Sequence, residues 1–439
     1  MSTREPVESL GGLRASLSLL RRNPDFRRLY LASFISLGGD WFLLVALLDL
    51  VIELTGSALS IAVLIVSQEM PFFLMSPVGG AIVDRLDRRK VMIWCDVIRA
   101  GLCLGFLLVN DASSLWIGFV LLACLSSFSA VFDPASSAAF PNLVASEDLG
   151  PANALFGSLW GTMLALGAAA GGIVAATLGR DTAFVVDASS FVVSALLLAR
   201  IHRPFNEARV EGVEHPSVLR ATVETMRYAR RDHRVFALLS VKGGFGLVAG
   251  VLVLISVFAE NVYEAGAIGI GVLMAARGVG ALIGPFLGRW AAGEGDRRLF
   301  TAIAMALAVF GLGYTAFGVA PSLLLAAPTV AIAHLGGGAQ WTLSSYGLQR
   351  VVDDRIRGRI FAFDNALITL SFTISSVVTA SVATAFGERT AAVALGVSAM
   401  VYAGAWTLLT TDLRRRTARD GFGHEPAMVP ATGPETPAR

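Results

Sequence analysis

The sequence has few charged residues and few cysteines, and each shortage excludes a class of protein. Only 15% of its 439 residues are Asp, Glu, Lys or Arg, whereas soluble domains carry about 25%. With 55% hydrophobic residues and a mean hydropathy of +0.67, a soluble globule could not cover its surface with polar groups. The three cysteines lie inside apolar runs, so no disulfide framework is expected. Net charge is +2, which gives no reason to expect a nucleic-acid partner.

Sequence motifs for catalysis and for nucleotide binding are also missing. The chain has no Gly-x-x-x-x-Gly-Lys-[Ser/Thr] phosphate-binding loop, so ATP is not expected to be a direct energy source. It has no His-Glu-x-x-His or Gly-x-Ser-x-Gly pattern and no Asp-rich metal motif. We therefore expect neither an enzyme nor a cofactor or metal.

Long apolar windows are what the sequence does have. A helix that crosses a bilayer needs about 20 mostly apolar residues. Windows of that size number twelve and occur near residues 29–52, 57–82, 90–110, 114–138, 151–178, 182–201, 235–259, 266–288, 299–318, 321–348, 358–385 and 389–412. The least clear stretch is 130–150, because Pro134 and Pro141 interrupt its helical pattern. The sequence predicts an all-α membrane protein with twelve transmembrane helices.

The distribution of Lys and Arg predicts the orientation of these helices. The segments that would share one side with both termini hold 30 of the 35 cations, and the opposite loops hold only Arg180 and Arg389. Cytoplasmic loops carry the excess of Lys and Arg. We therefore expect a multi-pass protein of the bacterial cytoplasmic membrane with both termini in the cytosol.

A polar, charge-rich stretch at 202–234 divides the twelve windows into six and six. The halves share weak similarities in consistent order, such as Gly38-Gly39 with Gly243-Gly244, which favours a duplicated six-helix unit. The predicted organisation has five parts: a cytosolic segment 1–28, an N-terminal bundle 29–201, a cytosolic linker 202–234, a C-terminal bundle 235–412, and a cytosolic, disordered tail 413–439.

The segment Gly79–Lys90, at the end of the second window, carries a recognisable motif. From Gly80 it resembles the loop signature of the major facilitator superfamily, Gly-x-x-x-Asp-Arg-x-Gly-Arg-Arg, which joins helices 2 and 3 in that family. Asp87 stands where the signature has its second Gly. The corresponding stretch of the second half has Gly288 in place of the acid. The resemblance implies two pseudo-symmetric six-helix bundles.

Further stretches resemble one branch of that superfamily, which contains macrolide-efflux and enterobactin-export proteins. They are Asn23–Leu29, Gly39–Trp41, Asp96–Ala100, Phe140–Val144, Ala152–Leu155, Asp187–Phe191 and Arg357–Phe361. This branch implies efflux of small molecules.

The signature loop is expected to act as a conformational latch on the cytosolic side. The residues assigned to it are Gly80, Asp84, Arg85, Arg88 and Arg89. A carboxylate at Asp84 can pair with a cation or a helix N-terminus, and the arginines can hold the loop at an anionic lipid surface. The family implies that such contacts close the cytosolic side. The alternative is that these positive charges only set the orientation.

Glycines in the fifth window resemble the antiporter motif Gly-Pro-x-x-Gly-Gly. Gly167, Gly171 and Gly172 match its glycines, and Ala168 replaces its proline. Small residues at this spacing also allow close helix packing without any role in transport.

Ionisable residues inside apolar windows are candidates for function, because a charge near the bilayer centre is costly. Asp40 and Glu69 lie about midway along the first two windows, and a buried carboxylate there can exchange a proton. They are predicted as proton-coupling or substrate residues, the alternative being structural ion pairs. Lys242 and Arg277 are predicted to pair with acids of the first half across a central cavity, or to receive an anionic substrate group.

Four further ionisable residues have local interpretations. Asp96 and Arg99, three residues apart on one helix, are predicted to form a structural pair. Asp364 is interpreted as an acid at a helix N-terminus. His334 is either a packed core histidine or a proton or substrate residue.

Together these observations predict a proton-coupled secondary transporter that exports an amphipathic drug, siderophore or natural product by alternating access. The expected partners are a small-molecule substrate, protons and the lipid bilayer, and the chain is expected to act as a monomer. The alternatives are a lipid transporter or an importer on the same fold and, less favoured, a receptor or assembly protein that does not transport.

Overall fold

The computed structural model describes residues 17–145, 148–203, 205, 226–293, 296–352 and 354–422. All regular secondary structure in these residues is helical. Within this described part of the chain, twelve helices are long and apolar enough to cross a membrane, which confirms the predicted fold class.

The helices are numbered here in chain order. Helices α1 to α6, the N-half, are Pro24–Thr55, Ala58–Arg85, Arg88–Gly105, Leu115–Ala139, Leu149–Leu178 and Arg180–Ala199. The seventh span, α7, is His233–Leu247 followed by Val251–Val257 and a π-helical turn Phe258–Val262. Helices α8 to α12, which complete the C-half, are Gly266–Ala292, Leu299–Val319, Leu323–Val351, Asp354–Phe386 and Glu388–Leu409. A short helix, α13, follows at Thr411–Asp420.

Local sequence explains where helices begin and end. Asn23 caps α1, since its side-chain oxygen accepts a hydrogen bond from Phe26 N at 3.0 Å, and Pro24 occupies the first turn. Helix α1 ends at Thr55, and the next residue, Gly56, has a φ of 59°, the left-handed conformation that glycine adopts without strain. Ser57 then caps α2. Gly56, which follows the end of α1, and Ser57, which caps α2, thus make the tight turn between two antiparallel spans.

The proline-rich end of α4 is continuous helix. Pro134 lies inside α4, and Pro141 falls in a 3₁₀ turn, Phe140–Leu143, that closes the helix. Residues 130–143 of the stretch that was unclear from sequence are therefore the last part of a span, and the next helix, α5, begins at Leu149.

Helix α7 is interrupted at residues 248–250, and α11 supplies hydrogen bonds to the backbone on both sides of the break. The Ser375 hydroxyl donates to the Leu247 carbonyl at 2.8 Å and accepts from Gly250 N–H at 2.9 Å. A broken backbone within a bilayer is tolerated when neighbouring side chains satisfy its polar groups.

The two halves share a core at only one end of the molecule, judged from the described residues. We call the end where α1 begins the terminal end and the opposite end the far end. At the far end one apolar cluster joins both halves, including Leu43–Ile52 of α1 and Val253–Ala259 of the seventh span. At the terminal end each half has its own cluster. The halves therefore meet at the far end and separate towards the terminal end.

Glycines on α5 set this geometry. A Cβ on Gly167 or Gly171 would lie 3.0 Å or less from atoms of α1, and one on Gly172 would lie 2.8 Å from the Ala267 carbonyl oxygen of α8. Nearer the terminal end, a Cβ on Gly161 would meet Leu282 of α8 at an ordinary 3.7 Å. The antiporter-like glycines thus pack closely within the N-half and, at Gly172, against the C-half.

The chain remains helical for longer than predicted at its C-terminal end. Residues 413–420 fall within α13, and Phe422 packs on Phe300 of α9 with ring centroids 5.7 Å apart. The predicted disordered tail is therefore wrong for these residues. Residues 423–439 and most of the predicted linker 202–234 lie outside the described residues.

Candidate functional site

A cavity of about 910 Å³ lies between the N-half and the C-half. It is lined by α1, α2, α4 and α5 on one side and by α7, α8, α10 and α11 on the other. Aromatic side chains make up much of the lining: Trp41, Phe72, Trp160, Phe245, Phe286, Trp341 and Phe372. Sites for drug-sized ligands span roughly 300–1,000 Å³, so a molecule of that size fits here.

Three carboxylates line the N-half wall: Asp40 on α1, Glu69 on α2 and Asp133 on α4. Within the described part of the chain, none of them has a hydrogen bond or an ion pair within 4 Å. Asp40 and Glu69 were predicted from the sequence. Asp133 was not, although it is an acid inside an apolar window like the other two.

A polar cluster lies behind this wall. Asp40 is close enough to Asp187, Asp133 and Asp96 to interact with their charges, and Arg99 is the cation among them. Asp187 accepts hydrogen bonds from Cys103 Sγ at 3.0 Å and from the Ser190 hydroxyl at 3.3 Å. The N-half therefore gathers four carboxylates around one guanidinium.

Arg99 is fixed within that cluster. It is 2% exposed, pairs with Asp96, and donates to the Ser129 hydroxyl at 3.3 Å. Its guanidinium carbon also lies 4.3 Å from the ring centres of Phe132 and Phe191. The predicted contact between Asp96 and Arg99 is present, and its aromatic surroundings are those of a rigid internal pair.

The C-half wall carries one cation, Arg277 of α8, among the described residues that line the cavity. It is 4% exposed, and its Nε–H donates to His334 Nε2 at 3.2 Å. The Tyr314 hydroxyl lies 2.6 Å from the same nitrogen. Because a guanidinium can only donate, Nε2 must accept, and the proton of the neutral imidazole is on Nδ1. No described carboxylate lies within 4 Å of Arg277.

Lys242 lies behind the cavity wall and does not line it. Its Nζ is 3.6 Å from Asp364 Oδ2 on α11, 3.3 Å from the Ser345 hydroxyl and 3.5 Å from the centre of the Trp341 ring. The predicted pairing of Lys242 with acids of the N-half is therefore wrong, because its partner belongs to its own half. The N-terminal interpretation of Asp364 is also wrong, because α11 begins ten residues earlier, at Asp354.

The signature loop closes without the glycine of the family pattern. Helix α2 ends at Arg85 and α3 begins at Arg88, and the Asp87 side chain caps α3 by accepting from Lys90 N at 3.0 Å. Asp87 has a φ of −67°, which any residue can adopt. The aspartate thus replaces the flexibility of glycine with a helix cap.

Two arginines of the loop bind the carbonyl ends of neighbouring helices. Arg88 donates to the carbonyls of Ala138 at 3.0 Å and Phe205 at 3.2 Å, and Arg89 donates to those of Leu198 and Ala199. Cations at helix C-termini complement the helix dipole. The side chains of Gly80, Asp84 and Arg85 lie outside the described residues.

The C-half has an acid after α8, at the position that corresponds to the signature loop after α2. The spacing of the sequence motif did not indicate this acid. Asp296, in the loop between α8 and α9, accepts from Arg289 at 2.5 Å, from the Tyr346 hydroxyl at 2.6 Å and from Arg350 at 3.4 Å. Burial raises the pKa of Asp296, but the Tyr346 hydrogen bond and the two arginines lower it further, so the net pKa lies below its ordinary value. An acid seven residues after Arg289 thus replaces the one missing at Gly288.

Comparisons with known proteins agree with this architecture. The family described as transmembrane secretion effector, within the major facilitator superfamily, matches residues 15–431. The chain is 26% identical to the enterobactin exporter EntS of Escherichia coli over 436 residues, which cover 95% of this chain and 98% of that one. It is 24% identical to macrolide efflux protein A of Streptococcus pyogenes, over 82% of this chain and 90% of that one.

Solved structures share the fold at low sequence identity. A bacterial homologue of the human lysosomal transporter Spinster, solved in an inward-facing and unoccupied conformation, aligns with a TM-score of 0.69. It is 15% identical, and the alignment covers 89% of this chain and 97% of that one.

Proposed function

Because the chain belongs to the transmembrane secretion effector family of the major facilitator superfamily, we propose that it is a proton-coupled exporter of amphipathic small molecules. It works by alternating access: the central cavity opens to one side of the membrane at a time. Its relatives include exporters of enterobactin and macrolides, which supports export as the direction and a small molecule as the cargo.

One observation carries the proposal: the N-half wall of the cavity has carboxylates that form no hydrogen bond or ion pair with any described residue. Apolar and aromatic walls suit an amphipathic cargo, whereas acids that form no close ion pair in such surroundings are costly and are therefore candidates for function. Like charges in close proximity disfavour ionisation of all of them at once. The cluster of Asp40, Asp96, Asp133 and Asp187 around Arg99 is therefore suited to bind and release protons.

The conformation fits the start of an export cycle. Both termini belong in the cytosol by the distribution of Lys and Arg. With that orientation, the joined far end faces outward and the separated terminal end faces the cytosol, where the cargo enters. Protonation from outside, followed by proton release inside, would return the empty carrier to this state.

Accumulation of a panel of dyes, antibiotics and siderophores in an efflux-deficient host tests the proposal. Cells expressing the wild type are expected to accumulate less of at least one compound, and a protonophore should remove the difference. Asp40→Asn and Glu69→Gln should each reduce export about tenfold or more, because neither substitute can release a proton.

The matched control is Asp412→Asn, which changes an exposed acid on α13 far from the cavity. It should export like the wild type at equal membrane abundance. Export that persists in Asp40→Asn and Glu69→Gln would remove these two residues from the coupling mechanism. Export that is unaffected by the protonophore would contradict proton coupling itself.

A further inference from the structure

The charges that line the cavity are divided between its two walls. All three lining carboxylates, Asp40, Glu69 and Asp133, belong to the N-half, and the lining guanidinium, Arg277, belongs to the C-half. Among the described lining residues no cation lies on the first wall and no acid on the second. The cavity therefore has acids on one wall and a cation on the other, and aromatic side chains form part of its lining.

Arg277 is placed as a receptor for an anion. It is 96% buried, its Nε–H is held by a neutral imidazole, and no described carboxylate lies within 4 Å to neutralise it. A buried guanidinium with no directly paired carboxylate is costly, and the remaining N–H groups of Arg277 form a fork that suits a carboxylate or phosphate. Glu69 lines the same cavity from the opposite half and is near enough for its charge to interact with that of Arg277, but the two form no ion pair within 4 Å. The position opposite the guanidinium is thus left for a ligand.

Asp133 is placed as the receptor for a cation. It is exposed to the cavity, has no hydrogen bond or ion pair among the described residues, and lies outside the direct contact between Asp96 and Arg99. It belongs to the end of α4 nearer the cytosol in the orientation proposed above. Cargo arriving from the cytosol therefore meets this carboxylate early.

The two poles also differ in depth. Asp133 lies eighteen residues after the far-end start of α4, and Arg277 lies eleven residues after the far-end start of α8. At 1.5 Å per helical residue, this difference corresponds to about 10 Å along the helix axes. A ligand that reaches both poles must carry its charges about that far apart.

Building on the proposed export function, we propose that the cargo is a zwitterionic amphiphile whose anionic group binds Arg277, whose cationic group binds Asp133, and whose apolar middle packs on the aromatic lining. Such a ligand bridges the two halves. Binding it neutralises charge on both walls without requiring the halves to pair with each other.

A capped tripeptide series tests this charge requirement without any transport step. Extended Phe-Ala-Phe is about 10 Å long, and acetylation or methyl esterification removes its positive or negative charge separately. Purified full-length protein in detergent is titrated at pH 7.5 by calorimetry with the free, N-acetylated, esterified and doubly capped peptides. The free peptide should bind at least ten times more tightly than either singly capped form, and the doubly capped form most weakly.

Two variants assign the poles. Arg277→Gln should bind the free peptide and its ester equally, whereas Asp133→Asn should bind the free peptide and its N-acetyl form equally. Arg277→Lys keeps the charge and should retain the preference at lower affinity, which guards against a misfolded Gln variant. Arg419→Gln, an exposed arginine on α13, is the control and should bind like the wild type.

The proposal is overturned if the doubly capped peptide binds as tightly as the free one, if none of the four binds, or if Arg277→Gln keeps the carboxylate preference. These outcomes are separate from those of the export test. Proton-dependent export of other compounds without charge preference would contradict only the substrate class. Charge-selective binding without proton-dependent export would contradict only the coupling.

Discussion

At the residue scale, the close packing of α1 against α6 determines which polar side chains lie next to each other beside the cavity. A Cβ on Gly39 would lie 2.2 Å from the Ser190 hydroxyl and 2.3 Å from Asp187 Oδ1. Glycine at this position therefore allows Asp187 to lie beside Asp40. On the neighbouring residue, Gly38, a Cβ would meet only Met163 Sδ at 3.4 Å.

These two glycines form a matched pair for a stability test. Gly39→Ala should lower the stability by about 1–3 kcal/mol, because it overpacks a buried contact. Gly38→Ala should leave it nearly unchanged. The measurement is thermal unfolding of the purified proteins in one detergent, and equal melting temperatures for the two variants would contradict the close approach of α6.

Asp296 gives a prediction for pH dependence. Its pKa is lowered in the folded protein, so its contribution to stability is present above its ordinary pKa of 3.8 and is lost as pH falls through the lower folded value. Between pH 5 and pH 3, the melting temperature of the wild type should therefore fall further than that of Asp296→Asn, which has no carboxylate to protonate at this position. Parallel curves for the two proteins would contradict the network with Tyr346 and Arg350.

The positions of single charged residues at the cavity were predictable from the sequence where hydropathy was unambiguous, whereas their roles stay predictions. Asp40 and Glu69 interrupt clear apolar windows, and both line the cavity. Asp133 carries the same signal, but the adjacent Pro134 made its window look like a helix end. The partner of Lys242 was missed because pairing depends on which faces of α7 and α11 meet, and spacing along one chain does not contain that information.

At the element scale, α5 and α8 join the halves at the far end. A Cβ on Gly172 would lie 2.8 Å from the Ala267 carbonyl oxygen and 2.9 Å from Gly271 Cα, both backbone atoms that cannot move aside. A Cβ on Gly161, on the same helix, would meet Leu282 at 3.7 Å. Closure at the far end thus depends on Gly172 more than on Gly161.

Gly172→Ala should weaken far-end closure, and Gly161→Ala should not. Spin labels at Leu178 and Val319, exposed positions at the far ends of α5 and α9, can report the separation of the halves. In the Gly172→Ala background the distance distribution should shift to longer values. An unchanged distribution, with Gly161→Ala also unchanged, would show that other contacts hold this end closed.

Helix positions were predictable from hydropathy, whereas helix ends were not. The twelve apolar windows match the twelve spans because burial in lipid selects apolar side chains. Helix α11 begins in a charged segment at Asp354, before its apolar window, and α13 follows α12 with almost no apolar content. Charged helical ends carry no hydropathy signal, so hydropathy alone assigns the start of α11 to a loop and α13 to the tail.

At the scale of the whole molecule, the arrangement of cores and charges defines the proposed cycle. One shared core joins the halves at the far end, and each half has its own core at the terminal end. The acids belong to one half and the lining cation to the other. Rocking of the halves about this cavity would expose the same carboxylates first to one side and then to the other.

The central claim is that cargo and protons move in opposite directions, and proton flux in proteoliposomes tests it most directly. The purified protein is reconstituted with a pH-sensitive dye inside the vesicles, and a compound identified by the accumulation panel is added outside. The account predicts that inward movement of the compound alkalinises the lumen, and that Asp40→Asn abolishes this signal. Uptake of the compound with no change in luminal pH would contradict proton coupling.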